Sequence, residues 1–144
     1  MITRENIVDL ANEEHDACIS IYLPTHKKGE QVQQDPIRFK NLLNQAKDQL
    51  NDHNVGDQEI EALVDEAKEL LDKPLFWQHN DKGLAVFISE DKFEYYRIPH
   101  SFKERVMVDD HFLITPLVPM ISLEGTFCIL ALSQKKVRLL KCTP

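Results

Sequence analysis

Residues 18–43 read CISIYLPTHKKGEQVQQDPIRFKNLL, and the change of period within them decides the fold. Cys18 to Leu23 is an apolar run with β-branched and aromatic members that stops at Pro24, the pattern of a buried strand in a mixed sheet. Pro24 to Gln34 is polar and reads as a loop. Asp35-Pro36 then marks a helix start: the carboxylate accepts orphan N–H groups, and proline in the first turn gives up no hydrogen bond. The spacing predicts a helix over 36–51 with Phe39, Leu42, Leu43, Ala46 and Leu50 on its core face.

On the N-terminal side, Thr3 caps a short helix carrying Ile7, Leu10 and Ala11, which His15-Asp16 interrupts. On the C-terminal side, Asp57 caps a second long helix over 57–72, with Ile60, Leu63, Val64, Ala67, Leu70 and Leu71 facing inward. From Gly83 the period changes again. Leu84 to Ile88, Phe93 to Ile98, Arg105 to Val108 and His111 to Ile114 read as four short strands. Thr115-Pro116 opens a short helix through Met120 and Ile121, and strands over 126–132 and 137–142 bracket a polar turn. The expected fold is a two-layer α/β (α+β) domain, a mixed β-sheet packed by two long helices, followed by a C-terminal β-hairpin.

The chain of 144 residues is 42% apolar and 28% charged, a globular composition with enough length to bury a core without disulfide or metal staples. Its longest apolar stretches, such as Phe127 to Leu132, run about six residues, far below the roughly 18 needed to span a bilayer. No basic segment followed by an apolar run opens the chain, so a cytoplasmic protein without a membrane partner is expected. Cys18, Cys128 and Cys142 form no close pair and are expected as free thiols.

The net charge of -7 conceals an uneven distribution. Residues 25–47 hold five cations against two acids, whereas residues 48–72 hold nine acids against Lys68. The basic segment offers Lys27, Lys28, Gln33, Gln34, Arg38 and Lys40 around a predicted helix start, donors suited to phosphate and sugar. A solvated loop is the alternative from composition alone.

No nucleophile elbow, zinc-binding helix motif or phosphate-cradling glycine loop occurs, so no catalytic residue, metal or cofactor is expected. The histidines at 15, 26, 53, 79, 100 and 111 fall in predicted loops and turns and read as surface residues. Asp109-Asp110-His111 offers cation-binding groups but reads as a turn between two strands. Phe76 and Trp77 read as a plug at the end of the core rather than as base-stacking platforms. Tyr95 and Tyr96 fall on opposite sheet faces.

Several of these pieces share their order with a known family. Ile19 to Pro24, Gln34 to Leu43, Phe76 to His79, Gly83 to Phe87, Phe112 to Leu117 and Leu130 to Ser133 resemble the N-terminal part of bacterial proteins related to archaeo-eukaryotic class-one peptide-chain release factors. The resemblance implies a release-factor-like N-terminal domain over 1–125. It also implies that 126–144 opens a ribonuclease-H-like middle domain, so the chain reads as a fragment whose hairpin is open to pairing with a second copy. Where stop-codon-reading members carry Gly-Thr-Ser, Asn-Ile-Lys-Ser and Tyr-x-Cys-x-x-x-Phe elements, this chain has His15-Asp16-Ala17, Asp35-Pro36-Ile37-Arg38 and a third element retaining only Phe112. The Gly-Gly-Gln tripeptide of the middle domain does not occur in residues 1–144.

The resemblance therefore implies a non-catalytic docking module for translation or ribosome rescue, with the ribosome, its RNA and downstream domains as partners, and without the decoding elements. Two alternatives remain at this level: a protein-interaction or regulatory module on the same fold, or part of a hydrolase completed by a downstream domain.

Overall fold

The computed structural model describes residues 3–26, 29–90, 92–118, 127–131 and 137–141. The elements run α1 (Arg4–Ala11), β1 (Glu14–Pro24), α2 (Gln31–Asp52), α3 (Asp57–Leu71), α4 (Pro74–Gln78), β2 (Gly83–Ile88), β3 (Phe93–Ile98) and β4 (Arg105–His111). A 3-10 turn (Thr115–Leu117) and the strands β5 (Phe127–Ala131) and β6 (Val137–Lys141) follow. The helix expected through Met120 and Ile121 and the turn expected over 133–136 lie outside the described residues.

Four strands form one sheet in the order β3-β2-β1-β4, and helices pack on it as expected. All three pairings are antiparallel, which corrects the expectation of a mixed sheet. The unbroken apolar runs that suggested parallel neighbours have another cause: both faces of the central strands are covered. Toward α2, α3 and α4 point Ile19, Ile21 and Leu23 of β1 with Leu84, Val86 and Ile88 of β2. Toward α1 and the segment after β4 point Cys18 and Tyr22 with Ala85 and Phe87. There Phe112, Ile114 and Leu117 close the second core, and Leu113 is clamped through its backbone. Its N–H donates to Ser20 Oγ at 2.8 Å, while the Tyr22 hydroxyl donates to its carbonyl.

The helix faces follow the sequence pattern. α2 buries Phe39, Leu42, Leu43, Ala46 and Leu50, and α3 buries Ile60, Val64, Ala67 and Leu70, with Leu63 and Leu71 half-buried. Thr3 caps α1 in a reciprocal capping box with Asn6. At the end of α2, Asn54 takes φ 61°, Asn54 N–H reaches the Asn51 carbonyl and Val55 N–H the Leu50 carbonyl, a Schellman closure sealed by apolar Val55 and Leu50. The cap of α3 is Gly56 without a side-chain bond, and Asp57 lies in the first turn, contrary to the assignment of Asp57 as cap. Phe76 and Trp77 are buried in α4, and the Trp77 indole N–H donates to the Leu70 carbonyl at 2.8 Å.

Three boundaries differ from the sequence pattern for physical reasons. β1 begins at Glu14, so His15 and Asp16 belong to it; a register shift sets Glu14 opposite His111 and Cys18 opposite Asp109. Asp109-Asp110-His111 consequently ends one continuous strand instead of turning between two, because the irregularity in β1 absorbs the mismatch. α2 starts at Gln31, and Pro36 lies inside it. Asp35 does not cap that helix; its side chain is turned to His26 and Arg38.

Gly83 is required by a close approach. A Cβ there would collide with the His100 carbonyl oxygen and the Phe102 ring. β4 and β3 are the two sheet edges. The edge at β4 is occupied by Gln49 of α2, whose amide donates to the Val106 carbonyl at 3.3 Å and accepts from Val108 N–H at 3.0 Å.

Candidate functional site

The strongest polar constellation lies where β1 hands over to α2. Buried Thr25 ties the end of β1 to the chain entering β2: its N–H donates to the Lys82 carbonyl at 3.0 Å, and its hydroxyl to the Asp81 carbonyl at 2.6 Å. The chain then leaves the sheet at His26. It returns through Gly29, whose φ of 96° favours glycine, into a tight first turn of α2 where Gln33 N–H reaches the Glu30 carbonyl.

Asp35 is the anchor of this edge, with no solvent exposure. One carboxylate oxygen accepts the His26 backbone N–H at 2.9 Å. The other faces His26 Nδ1 at 2.9 Å and accepts from the Arg38 guanidinium at 2.8 Å. A carboxylate oxygen accepts, so this contact is a hydrogen bond when the imidazole carries a proton on Nδ1. Arg38 extends the network by donating to Gln31 Oε1 at 2.5 Å. These charge-assisted bonds stabilise a helical conformation at Asp35 that the following proline otherwise disfavours. They also supply the partners a buried charge requires.

The residues expected to contact phosphate are distributed unevenly around this anchor. Arg38 belongs to it, half-buried at 27% side-chain exposure. Gln33, Gln34 and Lys40 are exposed on α2. Lys27 and Lys28 lie outside the described residues. The arrangement therefore presents a half-exposed imidazole, a guanidinium held in place and exposed amides and ammonium along the start of one helix. Chemically it is suited to holding an anion by directed hydrogen bonds.

The sequence pattern does not reveal His26 and Asp35 as a pair. Each reads locally, as surface histidine and helix cap, and their nine-residue separation matches no helical or strand period. The available signal is the second donor set: a carboxylate next to proline with an arginine three residues on can bind outward instead of capping.

Two further polar groups lie elsewhere. Asp109, Asp110 and His111 can bring ligand atoms within 4.8 Å of one another, but His111 Nδ1 is 2.7 Å from an Asp110 oxygen, and Asp109 accepts the Asp110 N–H at 2.8 Å. Nearby, burial pushes the Cys18 thiol up to about 12, so it stays protonated and unreactive at neutral pH. At the start of β1, Glu13 bonds His15 at 2.5 Å and Lys92 at 3.2 Å.

Compared with protein-family models and with curated proteins, the chain matches none. Among the described residues no helix is long and apolar enough to cross a membrane.

Proposed function

We propose that this domain is a docking module whose β1–α2 edge binds RNA phosphates on the ribosome, as part of a release-factor-like protein of the bacterial cytoplasm. The reading rests on one observation above the others. A fully buried carboxylate, Asp35, fixes His26 and Arg38 where the central strand β1 hands over to α2, a costly arrangement that pre-organises the rest of the Arg38 guanidinium. Gln33, Gln34 and Lys40 extend that surface along α2, and Lys27 and Lys28 add charge to the same stretch of sequence. The order of motifs resembling the release-factor N-terminal domain supports the choice of ribosomal RNA over other anions. Without the decoding elements, the edge serves attachment and not codon reading.

Co-sedimentation with purified bacterial ribosomes tests this. Replacing Lys27, Lys28, Arg38 and Lys40 together by Gln is expected to remove most of the bound fraction while leaving the fold intact by circular dichroism. A variant that sediments like the wild type contradicts the proposal.

A further inference from the structure

The two sheet edges are treated differently. At β4, Gln49 occupies the Val106 carbonyl and the Val108 N–H; among the described residues, no side-chain amide plays that part on β3. An edge strand with free backbone groups is a template for another strand. Beside β3 runs a groove of about 940 Å³ between the strand and the end of α3 with α4.

The alternate residues Phe93, Tyr95 and Arg97 of β3 line this groove, so a strand added beside them would send every second side chain into it. Its apolar surface includes Leu75 and Tyr95, which are 68% and 38% exposed, two of the three large apolar side chains left so open among the described residues. The α3 wall is acidic, with Glu66, Glu69 and Asp72. A second hollow of about 400 Å³ shares Glu66 and Phe93 and adds Asp16, Glu59 and Glu90.

Two cations, Arg97 and Lys92, also line these hollows. Arg97 lies over the Phe76 ring at 5.0 Å and bonds Asn80 at 3.2 Å. Lys92 is held by Glu13 at 3.2 Å and Glu94 at 3.6 Å. Lys73 adds one further cation at the α4 end of the groove, outnumbered by the acids of the two hollows. The charge left for a partner is therefore negative, which favours a basic segment and disfavours nucleic acid.

We infer that the groove between α3 and β3 binds a basic, extended peptide segment of a protein partner, which adds to the sheet as a strand beside β3. Backbone hydrogen bonds give such a complex its affinity, and the alternate side chains that enter the groove meet both its apolar surface and its acidic α3 wall, which together select the apolar stem and charged head of lysine or arginine at those positions. The site uses none of the residues of the β1–α2 edge.

The probe is a fluorescent ten-residue peptide of alternating leucine and lysine, read by anisotropy on the full chain, with a leucine–glutamate peptide as counterpart. The lysine peptide is expected to bind, the glutamate peptide at least tenfold more weakly, and the double variant Glu66→Lys/Glu69→Lys to reverse that preference. N-methylating alternate amides of the lysine peptide, which removes backbone donors without touching the protein, is expected to abolish binding. Hydrogen exchange of residues 93–98 is expected to slow when the peptide is bound. Equal binding of both peptides, wild-type affinity in the double variant, or full affinity of the N-methylated peptide overturns the inference. So does a concentration-dependent dimer that Leu75→Ser dissociates, because a second copy would then be the occupant.

Discussion

The carboxylate of Asp35 grips His26 twice, through the backbone N–H at one oxygen and the imidazole at the other, both at 2.9 Å. One buried side chain in α2 thus determines where the chain leaves β1. Asp35→Ala strands the His26 N–H and the Arg38 guanidinium together, and is expected to cost about 1–3 kcal/mol or more. Arg38→Gln removes a partner that retains solvent contact and is expected to cost less. Urea denaturation of the two variants checks the order, and a wild-type midpoint for Asp35→Ala contradicts it.

Gly83→Ala puts a methyl group against the His100 carbonyl and the Phe102 ring at the start of a buried strand. Backbone oxygen cannot swing aside as a flexible side chain does, so β2 or the 100–102 segment must shift. The expected cost is about 1–3 kcal/mol, the range for forcing extra volume into a packed core. Thermal unfolding measures it, and an unchanged Tm would show that this approach is not tight.

Phe39→Ala empties a site with no exposure against Trp77, whose ring centroid lies 5.5 Å away. A loss of about 3–5 kcal/mol is expected there. Leu63, half-buried on α3 beside the second hollow, is expected to lose less when replaced by Ala. Equal losses in chemical denaturation would place Leu63 in the core instead.

The contrast between Phe39 and Asp35 shows what the sequence makes legible. Phe39, Leu42, Leu43, Ala46 and Leu50 repeat with the helical period, and burial follows because one apolar stripe needs one apolar partner. Thr3, Phe76, Trp77 and the opposed Tyr95 and Tyr96 are legible for similar local reasons. Strand direction is not, since covering both faces of β1 and β2 produces the same unbroken apolar run in parallel and antiparallel sheets. The register shift opposite Asp109 and the His26–Asp35 pairing depend on which distant residues meet, and no local period encodes that. Arg38 and Lys40 can be nominated from charge; that Arg38 is held by Asp35 and Gln31 emerges only with the fold.

Glu13 provides a pH test of the junction between α1 and β1. Its bond to His15 holds the carboxyl below the usual carboxylate range; burial opposes this, and Lys92 reinforces it. A carboxylate depressed in the folded state contributes stability above its unfolded pKa and loses it as pH falls through the folded one. The stability difference between wild type and Glu13→Gln is therefore expected to be full near pH 7 and to shrink below about pH 4. Denaturation midpoints across that range check the sign, and a difference that grows on acidification contradicts it.

The measurement that bears most directly on the docking role is the salt dependence of binding to purified ribosomal RNA. Removing one cation that neutralises a phosphate lowers the slope of log affinity against log salt by about 0.7 to 0.9. A steep slope is expected for the wild type and a shallower one, with weaker binding at every salt concentration, when Lys27, Lys28, Arg38 and Lys40 are all Gln. Absence of binding at low salt, or the same slope and affinity in both proteins, would contradict the docking role.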